Sequence, residues 1–110
     1  MTDCIFCKIA NHEIPTTPVF ENDKVIAFND LNPQAPTHML VIPNQHVASV
    51  SDIKDLSVMQ DLFDAIQQIT TKNDIKDFRT VINTGAGAGQ TVFHLHIHIL
   101  AGRPLLWPPG

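Results

Sequence analysis

The sequence predicts the α+β class: a mainly antiparallel five-stranded sheet with two helices against one face. Three observations carry that expectation. Short β-prone runs are joined by links of hairpin length, which favours antiparallel neighbours. Between the third and fourth runs lies one apolar stripe at helical spacing, made by Leu56, Met59, Leu62, Phe63, Ile66 and Ile69. The last run, His94-Leu95-His96-Ile97-His98-Ile99-Leu100, alternates two chemistries with period two, as a strand does.

Taken in chain order, residues 3–10 place Ile5, Phe6 and Ile9 at helical spacing, with Asp3 available as a cap. This short helix stops before Ile14-Pro15. Residues 19–21 and 25–29 read as strands around an Asn22-Asp23 turn. A proline-rich turn over residues 31–36 leads into residues 38–43, a buried strand closed by proline. The long helix comes next, with Asp52 or Asp55 as its candidate cap. Residues 78–83 read as a strand, residues 85–89 as a glycine loop, and residues 92–101 as the last and most apolar strand. No linker, repeat or low-complexity block interrupts the chain, so residues 1–110 are expected to form one domain.

Composition narrows the function. Hydrophobic residues make up 44% and charged residues 16%, a globular mix. A formal charge of −4 argues against a nucleic-acid backbone as the main partner, because no basic patch can neutralise many phosphates. A single nucleotide remains open, since backbone N–H groups and histidines can hold one. No apolar run approaches the roughly 18 residues of a membrane span, and Met1-Thr2-Asp3-Cys4 has no leader-like character. A cytoplasmic protein is expected, with no membrane partner.

Cys4 and Cys7 stand at C-x-x-C spacing, which suits a metal site, a redox dithiol or two small buried thiols. The redox reading expects the pair at the start of a helix after a buried strand, and here it opens the chain. A metal reading needs two more ligands, and the chain has six histidines.

On a strand, His94, His96 and His98 share one face and Leu95, Ile97 and Ile99 the other, the core face. Three imidazoles on a core strand are expensive to desolvate without partners. At a rise of about 3.3 Å per residue, His94 and His98 lie about 13 Å apart, so one ion cannot easily take all three. A metal at His96 and His98 remains possible; a division of labour is more economical. A neutral imidazole nitrogen is a good nucleophile near pH 7, and an adjacent imidazolium can protonate a leaving group. The loop Gly85-Ala86-Gly87-Ala88-Gly89 just ahead can turn backbone N–H groups toward phosphate oxygens.

The pattern His-φ-His-φ-His-φ-φ over residues 94–100 resembles the histidine triad (HIT) superfamily. Ile5-Phe6-x-Lys8-Ile9, Glu13-Ile14-Pro15, Asn32-Pro33-Gln34-Ala35-Pro36-Thr37-His38, Val41-Ile42-Pro43, Gly89-Gln90-Thr91-Val92-Phe93-His94, Gly102-Arg103-Pro104 and Trp107-Pro108-Pro109-Gly110 resemble its Hint branch. The resemblance implies a HIT-like fold, with the sheet extended across a homodimer. It implies hydrolysis at the α-phosphate of purine nucleoside 5′-phosphoramidates through a nucleotidyl-histidine, with His96 as nucleophile. His98 would serve the phosphate and the leaving group, and His38 would support them. Asn83, Gly89, Gln90 and the Thr91 amide would hold phosphate oxygens, and Asp30 the ribose hydroxyls. Ile5, Phe6, Ile9, Phe28 and Leu31 would surround the base, although by pattern alone they also read as core. Trp107 would reach toward the partner's site. Asn29 departs from the histidine common at that position in the Hint branch.

Carried over in the same way, Cys4, Cys7, His46 and His94 would bind a structural zinc ion. Four protein ligands leave no open position on it. His12 matches nothing and reads as a surface residue. Two other functions suit the same residues: dinucleoside polyphosphate hydrolysis, and a nucleotide- or zinc-binding regulatory module with little catalysis.

Overall fold

The computed structural model describes residues 3–110. Its sheet has five strands: β1 (Phe20–Glu21), β2 (Val25–Asn29), β3 (Thr37–Pro43), β4 (Phe78–Val81) and β5 (Ile97–Ala101). They lie in the spatial order β1-β2-β3-β5-β4, and every pairing is antiparallel. Two helices accompany them, α1 (Ile5–Ala10) and α2 (Ser57–Lys72). Among the described residues no helix is long and apolar enough to cross a membrane.

The helices do not share a face, contrary to the expectation from the sequence. Val25, Ala27, Met39, Val41, Leu95, Ile97 and Ile99 pack with Leu62, Ala65, Ile66 and Ile69 of α2. Ile26, Phe28, Leu40 and Ile42 pack with Phe6, Ile9 and Ala10 of α1. The physical cause is legible in β2 and β3. Residues 25–28 and 38–43 are buried without alternation, which requires cover on both sides. Each fully buried aliphatic side chain in these layers contributes roughly 1.5–3 kcal/mol. The cover is unequal: α2 has 16 residues and α1 only 6, so the α1 face is left partly open.

Local details also depart from expectation. Cys4, not Asp3, caps α1, its Sγ accepting from the Cys7 amide at 3.3 Å. Leu56 stands at the start of α2 with 73% exposure, so the buried stripe begins after it; Asp55 Oδ1 accepts from the Ser57 amide at 3.0 Å. Asp52 instead accepts from Ser49 Oγ at 2.7 Å. Strand β4 ends at Val81 rather than at residue 83.

The last strand is shorter than expected. Its ladder begins at Ile97, so His94 and His96 precede it and only His98 lies within it. Opposite this stretch β3 ends in Pro43, which has no N–H to continue the ladder. The Leu95 amide donates instead to Val47 O at 2.6 Å. The alternation of faces survives: Leu95, Ile97 and Ile99 enter the α2 core, while the histidines turn toward the α1 face.

Candidate active site and metal centre

On the open face lies a cavity of about 610 Å³, lined by Ile5, Phe6, Ile9, Phe28, Asp30, Leu31, Thr91, His96 and His98 among others. That volume suits a small organic ligand. Nine of the residues expected around a nucleotide and its reacting phosphate therefore meet in one place, drawn from α1, β2 and β5 and their loops. Ile14, Pro15, Thr16, Thr17 and Val92 line it as well. The Glu13-Ile14-Pro15 motif signalled Ile14 and Pro15 and the Gly89–His94 motif signalled Val92, while Thr16 and Thr17 had no signal in the sequence. Leu31 is fully solvent-exposed at the cavity's mouth, not part of a core.

The hydrogen bonds assign tautomers to His38, His98 and His96. The Gln34 amide donates to His38 Nδ1 at 3.0 Å, which puts the proton of the neutral ring on Nε2. His38 Nε2 lies 2.9 Å from His98 Nδ1 and 3.3 Å from Asp30 Oδ2. His98 Nδ1 therefore accepts, and the neutral His98 carries its proton on Nε2. That nitrogen is buried and, among the described residues, has no hydrogen-bond partner. His96 Nδ1 donates to its neighbour, the His94 carbonyl, at 2.7 Å. This leaves the His96 Nε2 lone pair without a partner among the described residues. The two rings stand 5.0 Å apart, centroid to centroid, beside the cavity. A nucleophilic nitrogen and an N–H donor thus sit side by side. Burial, reinforced by the neighbouring His96 and His38 rings and only partly opposed by Asp30, pushes the His98 imidazole down to about 4. It is neutral in the resting protein near pH 7.

Other expected phosphate groups sit differently. The glycine loop folds onto itself as a 3-10 turn (Ala86–Ala88), and the Gly85, Ala88, Gly89 and Gln90 amides are all used internally. It is not an open cradle of N–H groups. Gln90 is buried, its Oε1 accepting from Gly85 at 2.9 Å and its Nε2 donating to Ala48 O and Val92 O. Its side chain organises the loop. Asn83 lies with its side-chain amide against Gly89. The Thr91 amide is not drawn into these bonds, and Thr91 borders the cavity. Trp107 is 83% exposed and does not line the cavity. His12 is a surface residue, 2.7 Å from Glu21.

Behind His96 is a second cluster, Cys4, Cys7, His46 and His94, whose ligand atoms all lie within 4.8 Å of one another. Cys4 Sγ is 3.3 Å and Cys7 Sγ 3.5 Å from His94 Nδ1, Cys7 Sγ is 3.2 Å from His46 Nδ1, and the two Nδ1 atoms are 3.3 Å apart. A tetrahedral zinc ion with ligands at about 2.0–2.3 Å needs donor pairs about 3.3–3.8 Å apart. The donor set fits. His94 Nε2 donates to Pro43 O at 2.8 Å, which frees Nδ1 and its lone pair for a metal. Burial and then the Cys4 thiol push the Cys7 thiol up to about 11. A bound cation would replace the proton. Burial also lowers His94, which keeps its imidazole neutral.

Asp30, His38 and His98 form a third cluster of metal-ligand type. Here the tautomers disagree with a metal. A ligating His38 Nε2 needs its proton on Nδ1, where the Gln34 amide already donates. Phe6 joins the zinc-type cluster to the cavity, meeting His94 edge-on at 5.9 Å and His96 at 5.2 Å.

Comparison with known proteins agrees with this architecture. Residues 3–104 match the family described as "Scavenger mRNA decapping enzyme C-term binding". An uncharacterized HIT-like protein of Synechocystis is 48% identical, the match covering 98% of this chain and 97% of that one. A 14 kDa zinc-binding protein of Zea mays is 40% identical over 96% of this chain and 87% of its own. The crystal structure of a HIT family hydrolase from Legionella pneumophila superposes with a TM-score of 0.93 at 41% identity, covering 98% of this chain and 100% of that one. With the histidine pattern, the sheet order and these likenesses in agreement, the chain belongs to the HIT family.

Proposed function

We propose that the protein is a nucleotide-binding hydrolase that cleaves P–N or acyl-phosphate bonds at the α-phosphate of purine nucleoside 5′-phosphoramidates and their acyl analogues. One observation carries the reading: the free lone pair of His96 Nε2 stands beside a buried His98 Nε2–H that has no acceptor among the described residues. An unpaired buried donor costs roughly 1–3 kcal/mol, which an anionic phosphate oxygen relieves.

In this reading His96 Nε2 attacks the α-phosphorus, and a P–N bond to the ring forms as the substrate's P–N bond breaks. The His96 Nδ1–H bond to the His94 carbonyl stabilises the charge that develops on the ring. The arriving phosphate anion favours a protonated His98, whose added proton on Nδ1 displaces the resting donor bond from His38 Nε2. The departing amine takes its proton from His98 Nε2. Water then attacks phosphorus, returns a proton to His98, and His96 regains its lone pair. His38 supports His98 through the 2.9 Å bond. Asp30 serves the ribose, the Thr91 amide and Asn83 the phosphate, and Ile5, Phe6, Ile9, Phe28 and Leu31 the base. Gly89 and Gln90 contribute by shaping the loop.

Cys4, Cys7, His46 and His94 would hold a structural zinc ion, which would supply cross-linking of α1 to the sheet. The maize relative's name supports that part, as the Legionella hydrolase supports the reaction class. Residues 1–110 would act as one domain in a cytoplasmic homodimer. The outer edge of β4 and the exposed Trp107 are the surfaces available for joining it.

The test is hydrolysis of adenosine 5′-phosphoramidate by the wild type and His96→Ala, with mass mapping of the adenylylated residue. Turnover should vanish in the variant while adenosine 5′-monophosphate binding persists. Retained turnover, or a label elsewhere than His96, overturns the mechanism. Preference for diadenosine polyphosphates would replace the substrate class, and inertness of folded, metal-loaded protein would replace catalysis by a binding role.

A further inference from the structure

Two segments of the chain, residues 32–37 and residues 102–104, have no place in the chemistry above, yet they meet in space. Arg103 Nε donates to the Gln34 carbonyl at 3.0 Å, and its Nη1 to Pro104 O at 3.0 Å. Gly102, at φ +95°, packs so closely on the same loop that a Cβ there would stand 2.9 Å from Pro36 Cβ. The tail after β5 is thus fastened to the loop before β3. The loop's own attachment to the site is the Gln34 amide on His38 Nδ1.

We propose that Arg103 is a positioning residue: by gripping the Gln34 carbonyl it holds the Gln34 N–H on His38 Nδ1, and so keeps the proton of His98 on Nε2. The chain of donors runs one way only. The amide cannot accept, so His38 keeps its proton on Nε2 and donates to His98 Nδ1 at 2.9 Å. His98 is then left with Nε2–H as its free group. If the amide moves away, the His38 and His98 protons can both shift to Nδ1. His98 then presents a lone pair to the phosphate instead of a donor. The ligand selects the donor tautomer, and its apparent affinity falls by the fraction of molecules that hold it.

The inference rests on the proposed function for what the donor meets, but not for where the proton sits. Long-range 1H–15N spectra of the zinc-loaded protein read the tautomers directly. The wild type should show Nε2–H at both His38 and His98. Arg103→Ala should show a mixture, and Gln34→Pro, which deletes the amide hydrogen, a larger displacement. Losing one hydrogen bond of ordinary strength should weaken adenosine 5′-monophosphate binding about three- to tenfold. KM should rise by the same factor with kcat within about twofold. Arg79→Ala is the control: Arg79 Nη2 holds the Leu105 and Leu106 carbonyls, both at 3.0 Å, and does not touch Gln34. Unchanged tautomers in Arg103→Ala overturn the proposal even if Gln34→Pro does not fold. An equal shift in Arg79→Ala overturns it too, since any loosening of the tail would then suffice. A wild type that neither binds nor turns over nucleotide would sink the proposed function instead, with the tautomers still deciding this one.

Discussion

Replacing Phe6 with alanine should weaken the metal cluster, the cavity and the nucleophile together, because one ring touches all three. Phe6 is 7% exposed and meets Phe28, His94 and His96 edge-on, at centroid distances of 5.6, 5.9 and 5.2 Å. Truncating a buried phenylalanine costs roughly 3–5 kcal/mol. One side of this ring borders the open cavity, where water can enter the space left behind, so about 3–4 kcal/mol is expected. Phe6→Leu keeps most of the volume but loses the ring-edge contacts, and should cost about 1–2 kcal/mol. The assay is urea unfolding of the zinc-loaded protein followed by circular dichroism. Tryptophan fluorescence is a poor probe here, since Trp107 is 83% exposed. With the His96 ring freed on one side, kcat should fall by roughly tenfold or more, since small misplacements of a reacting group are costly. A loss below about 1 kcal/mol at unchanged m-value would refute the assignment of Phe6 as the joint between the clusters.

Two further outcomes follow from the same geometry. Purified wild type should carry about one zinc ion per chain by atomic emission, Cys7→Ser almost none, and a chelator should lower Tm, because metal binding adds to folding stability; full metal content in Cys7→Ser would eliminate the four-ligand centre. Stability should also fall as pH drops from 6.5 to about 4, because the unfolded chain protonates His98 in that window while the folded chain resists. His98 is half-buried and partly screened, so its share is about 1–2 kcal/mol rather than the full value of the shift. His98→Gln should flatten that part of the slope, and an identical slope in the variant would refute the buried, neutral imidazole.

Much of this protein was legible in one dimension because its signals are local. Period-two alternation of Leu95, Ile97 and Ile99 against three histidines marks two faces wherever the ladder happens to begin. The stripe from Met59 to Ile69 marks α2 through the helical repeat alone. The matching motifs, spread over nearly the whole chain, brought the expected cavity residues into view before any distance was known. Even the two-sided cover of the sheet was written in the unbroken burial of Val25-Ile26-Ala27-Phe28, although the expectation of helices on one face overlooked it.

What only the tertiary structure decided were pairings between groups far apart in the chain. The resemblance named Cys4, Cys7, His46 and His94 together, but His94 is 48 residues from His46 and 90 from Cys4, and only the tertiary structure shows their ligand atoms within 4.8 Å of one another. Gln90 looked like a phosphate ligand, and its partners at Ala48 and Val92 turned it into a loop brace. The direction of each proton depended on single donors, Gln34 for His38 and the His94 carbonyl for His96. A sequence supplies the imidazoles, but an imidazole has two nitrogens, and only its three-dimensional neighbours settle which one is free to react.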